Sequence, residues 1–76
     1  MIVISAGLNQ AEIRGHLQRY NGTDFRFKFV RKHGIKLFFE VAGTSNLERA
    51  AKRAKAIIKE TDWGKRMSFS SMPVGV

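Results

Sequence analysis

Between Ser45 and Gly64, the residues Leu47, Ala50, Ala51, Ala54, Ile57, Ile58 and Thr61 recur at helical spacing and so fall on one face of one helix. That face must be buried. Its three alanines imply a close approach to whatever lies beneath, and a sheet is the natural support. Ser45, Asn46, Leu47 and Glu48 read as a capping box: the Ser45 hydroxyl accepts from the backbone N–H three residues on, and Glu48 reaches back. Gly64 is of the type at which such helices end. Arg49, Lys52, Arg53, Lys55 and Lys59 lie off the apolar face, with only Glu48 and Glu60 interposed. One stretch therefore predicts both a buried surface and a basic one.

The rest of the chain supplies candidate strands. Ile2-Val3-Ile4 is apolar on both faces, which suits a central strand. Asn9 with Glu12 gives a second capping signal, and Leu8 is placed to pack on Ile13 as a hydrophobic staple. The spacing of Ile13, Leu17 and Tyr20 predicts a helix over residues 10–20, with Gly15 inside it costing roughly 1 kcal/mol relative to Ala. Asn21-Gly22 closes that segment. From Asp24 to Arg31 the alternation is clean: Phe25, Phe27 and Phe29 face one way, Arg26 and Lys28 the other. After a turn at Lys32, His33 and Gly34, Ile35, Leu37, Phe39 and Val41 face the core while Lys36, Phe38 and Glu40 face outward, so the two strands form a hairpin. Met67 and Phe69 then alternate with Ser68 and Ser70, predicting a last strand over residues 66–72.

The resulting order, βαββαβ, defines an α+β fold. Two right-handed crossovers of this kind build a ferredoxin-like sandwich, a single antiparallel sheet with two helices on one face and the first and third strands central. A double-stranded-RNA-binding-like or other α+β arrangement is the alternative. With 76 residues the chain forms one small domain, expected over residues 1–72, with 73–76 as a frayed tail.

Composition narrows the function. There is no cysteine, so neither a disulfide framework nor a thiolate metal site is expected. The histidines and carboxylates show no metal-ligand spacing, and no Walker, dinucleotide-binding or KH-type glycine loop is present; no cofactor is implied. No apolar run approaches the roughly 20 residues of a membrane span, and a cytoplasmic location is the default expectation. Fourteen basic against six acidic residues give a formal charge of +8, which favours polyanionic partners.

Helices on one face leave the other face of the sheet open. By alternation it presents Val3, Arg26, Lys28, Lys36, Phe38, Arg66, Ser68 and Ser70, with Arg31, Lys32 and His33 at the hairpin tip. Cations that track phosphates beside a ring that stacks a base suit single-stranded nucleic acid. Arg26, Lys28, Arg31, Lys32, Lys36 and Phe38 are the expected contacts, and RNA or single strands are expected over duplex DNA. The third strand, His33 to Glu40, lacks the glycine–aromatic spacing of RNA-recognition modules, so no such family is claimed. The alternative basic surface is the helix set Arg49, Lys52, Arg53, Lys55 and Lys59, along which a duplex could lie. Gly43-Thr44-Ser45-Asn46 could hold an anion on free N–H groups, but helix capping explains the same residues.

Two other classes compete. A small ribonuclease would use His33 as general base beside Arg31 and Lys32, with Asp24, Glu40 or Asp62 as its second group; these are scattered, and a non-enzymatic protein is expected. A protein–protein adaptor would pair the edge of the last strand, with Met67, Phe69 and Met72, to a second copy or to an acidic partner. Trp63 would then either anchor that contact or close the end of the core.

Overall fold

The computed structural model describes residues 1–20 and 25–74, so the expected stop at Asn21-Gly22 and the candidate Asp24 lie outside the described residues. The elements are β1 (Ile2–Ser5), α1 (Gln10–Arg19), β2 (Arg26–His33), β3 (Lys36–Ala42), α2 (Leu47–Lys59), α3 (Asp62–Lys65) and β4 (Ser70–Pro73). The strands form one antiparallel sheet in the order β2-β3-β1-β4. β1 and β3 are thus the inner strands.

The period-2 alternation decides which side is covered. Ile2 sits opposite Phe39 and Ile4 opposite Leu37, and all four are buried. On that face they join Phe25, Phe27, Ile13 and Leu17 of α1, and Ala50, Ala51, Ala54, Ile57 and Ile58 of α2 in one core. The small alanine side chains let α2 approach closely enough for the Ser71 hydroxyl of β4 to donate to the Ala51 carbonyl at 2.7 Å. Side-chain burial and a cross-element hydrogen bond thus fix α2 over β4.

Several local expectations are corrected. α2 is capped by Asn46 rather than Ser45: the Asn46 side-chain oxygen accepts from the Arg49 N–H at 3.1 Å, while Thr44 Oγ1 accepts from the Asn46 N–H at 3.0 Å. Asn9 precedes α1 in a left-handed conformation, φ 58°, with no side-chain cap, and Leu8 is 72% exposed, so no staple forms. Gln10 instead secures that end, its amide donating to the Ala6 carbonyl at 2.7 Å. Ile35 was expected in the core but is exposed, because His33 pairs with Lys36 and leaves Gly34-Ile35 as a two-residue loop with Gly34 at φ 62°.

The largest correction follows α2. A third, short helix begins where Thr61 accepts from the Gly64 N–H at 2.8 Å and donates to the Ile58 carbonyl at 2.7 Å. Gly64 is not a helix stop; a Cβ there would lie 1.8 Å from the Ile58 carbonyl oxygen, so only glycine lets α3 fold against the end of α2. The turn consumes Arg66, and β4 starts at Ser70 rather than residue 66. Met67 and Phe69 pack on the core from extended chain, which explains their strand-like alternation. β4 then runs through Pro73, and the Val74 N–H donates to the Met1 carbonyl at 2.9 Å, so pairing continues past the boundary expected at residue 72.

Candidate nucleic-acid interface

The side of the sheet away from α1 and α2 can be read off the register. Arg31 lies opposite Phe38, Phe38 opposite Val3, and Val3 opposite Met72, forming one row across all four strands. His33, Lys36, Ser5 and Ser70 form the next row. On the other flank Lys28 sits opposite Glu40 and Arg26 opposite Ala42. An apolar band therefore crosses the face, and its flanking cations collect on β2 and β3. Val3 and Phe38 are half-buried, whereas Met72 is 57% exposed.

One irregularity builds this arrangement. The β2–β3 register shifts between Phe29 and Arg31: Phe29 pairs with Phe39 on the core face, yet Arg31 pairs with Phe38 on the open face. In an unbroken strand Phe29 and Arg31 would share a face. The extra residue, Val30, moves Arg31 to the open side, where its guanidinium lies 5.0 Å from the Phe38 ring centroid. The same shift divides the expected tip cluster. Arg31 and His33 take open-face positions, while Lys32 pairs with Leu37 and borders both a hollow with Arg31, His33 and Phe38 and a cleft beside α1.

The sheet gathers Arg26, Lys28, Arg31, Lys36 and Phe38 on one side, but Arg66 and Ser68, also expected there, stand outside β4. Glu40 directly opposite Lys28 offsets part of the charge.

The alternative basic surface on α2 is more engaged with its own chain. Lys59 donates to the Met67 carbonyl at 2.9 Å and lies 5.2 Å from the Phe69 ring centroid. The guanidinium groups of Arg49 and Arg53 each lie 5.7 Å from the Phe25 ring. These three cations cover aromatic edges of the core, as long amphipathic side chains do. Lys52 and Lys55 remain exposed toward solvent.

Among the described candidates for a ribonuclease site, His33, Glu40 and Asp62 lie on separate parts of the fold. His33 is exposed at the hairpin tip, and Glu40 lies four residues along β3 from its partner Lys36, about 13 Å at the usual strand rise. Asp62 begins α3. Among the described residues no group of three or more His, Cys, Asp or Glu is arranged to hold a metal, and no helix is long and apolar enough to cross a membrane. Trp63 packs partly buried against the core with its ring edge-on to His16, centroids 6.2 Å apart.

One site escaped the sequence reading. α1 and the hairpin enclose a cleft of about 310 Å³, in which Arg14 lies 4.1 Å from the Phe29 ring centroid. Its signal was present: Gln10, Arg14 and Gln18 recur every fourth residue and form a polar stripe along α1.

No family model matches the chain, and neither a curated protein nor a solved structure matches it at a significant level.

Proposed function

We propose that this protein is a small, basic, non-enzymatic module that binds single-stranded nucleic acid, RNA above all, across the open face of its sheet. Arg26, Lys28, Arg31 and Lys36 meet phosphates, and Phe38 stacks a base. The observation that carries this reading is the row Arg31–Phe38–Val3–Met72, an apolar band with cations on its flanks. Bases need an apolar or aromatic platform and phosphates need nearby charge; this face offers the two within one residue spacing. The net charge of +8 adds long-range attraction. The reading includes a cytoplasmic setting. It also includes a ferredoxin-like sandwich as the scaffold, supported by β1 and β3 lying inside the sheet, with α3 as an addition to that plan.

Met72, exposed at one end of the band, favours a second reading in which the same face docks a second copy or an acidic protein. Binding measurements separate the two. Labelled single-stranded RNA, single-stranded DNA and duplex DNA are titrated from about 50 to 200 mM salt, where each phosphate neutralised on a single strand contributes about −0.7 to the log–log slope. Four engaged cations give a slope near −3 by the same relation. Arg26→Glu with Lys28→Glu is expected to abolish binding, and Lys52→Glu with Lys55→Glu to weaken it only through net charge. The opposite pattern would move the interface to α2. No binding even at the lowest salt would leave the protein-docking reading.

A further inference from the structure

We infer that the bound strand does not end on the open face but crosses the β2 edge at Lys32 and continues into the cleft between α1 and the hairpin, which takes a further base. This inference rests on the single-strand reading above and extends its footprint. Two arginine–aromatic pairs stand on opposite sides of the same strand: Arg31 with Phe38 on the open face, and Arg14 with Phe29 in the cleft. They are joined by Lys32, which borders both hollows. The bulge at Val30 produces this geometry, since it sends Arg31 and Phe29 to opposite faces of β2. A backbone following the cations Lys36, Arg31, Lys32 and Arg14 would turn about the edge with a positive charge at each step.

The cleft itself suits a nucleotide better than it suits a structural role. At about 310 Å³ it is at the small end of ligand sites, which run from roughly 300 to 1,000 Å³. Its lining pairs an apolar floor, Phe29 and Leu37, with the cations Arg14 and Lys32 and the amides of Gln10 and Gln18. Among the described residues no acidic side chain lines it. Gly15 also borders the cleft, and a Cβ there would meet the flexible Arg19 guanidinium first, at 3.5 Å, an ordinary contact. Packing therefore does not require a glycine in the middle of α1, where it weakens the helix.

The test is a length series of labelled oligouridylates from about 4 to 16 nucleotides, the range of known single-strand site sizes, bound to the wild-type chain and to Gly15→Leu, Arg14→Ala and Phe38→Ala. Affinity is expected to rise again once the oligomer is long enough to pass the β2 edge. Gly15→Leu, which places the branched side chain of a good helix former at the cleft's border, should remove that second rise, costing long oligomers about tenfold, the size of one lost stacking contact, and leaving short ones unchanged. Arg14→Ala should act in the same direction, whereas Phe38→Ala should weaken every length. A single plateau in the wild type, or equal losses for short and long oligomers in Gly15→Leu, would overturn the inference while leaving the open-face reading intact. Absence of binding at every length would overturn both.

Discussion

Phe38 and Phe39 are neighbours on one strand and carry the same side chain, yet they live in different solvents. Phe39 is fully buried, opposite Ile2 and Phe29 and edge-on to the latter's ring at 5.7 Å. Phe38 lies half-buried on the other side, with the Arg31 guanidinium over its ring. The strand's two-residue period makes this split, and the covering helices give it energetic meaning. A phenylalanine under two helices contributes to stability. One on the open side, beside Arg31 and bordering a hollow with Lys32 and His33, contributes surface that a partner can use.

The most severe way to probe this contrast is Phe39→Ala, expected to cost about 3–5 kcal/mol because a cavity opens beneath both helices. Denaturant melts would show it, and a loss under about 1 kcal/mol would mean that the covered face is no better packed than the open one. Phe38→Ala should do the reverse: a stability loss of about 1 kcal/mol, from the cation–π contact and partial burial, against a binding loss of about 1–3 kcal/mol to single-stranded RNA. Equal effects of the two alanines on melting would break the comparison. The smallest expected change sharpens it from the helix side. Gly15→Ala should raise stability by about 1 kcal/mol, since helix propensity improves and the new methyl meets Arg19 first, in ordinary contact. A destabilised variant would show that the packing of α1 does need its glycine.

What the sequence made legible was periodic. The apolar face of α2 and the alternation of Phe25, Phe27 and Phe29 repeat often enough to specify element and face together. The parts that did not repeat were misread or missed. Val30 looks like any other strand residue, so nothing in the pattern announces that it is the extra one and that Arg31 and Lys32 therefore part company. Gly64 reads as a stop because glycine ends many helices, whereas here its missing side chain admits the backbone of α3 against Ile58. Met67 and Phe69 alternate because one side of an extended segment packs on the core, with or without a partner strand. For the site, the charged and aromatic residue types were evident, but their grouping depended on a register that only pairing can set. Lys59, Arg49 and Arg53 were indistinguishable from phosphate contacts until Phe69 and Phe25 were seen beneath them.

The strand order also bears on when this chain can fold. β1 leaves the ribosome first, yet its partners are β3 and β4: Ile2 pairs with Phe39 on one side and with Pro73 on the other. The local hairpin of β2 and β3 can close early, because little loop entropy opposes it. The innermost strand has to wait for the last one. Until residues 70–73 emerge, β1 lacks a neighbour on one side and α2 has no β4 beneath it, so the sheet is completed late and nearly all at once. Synthesis can thus add almost every residue of this domain before its sheet is complete.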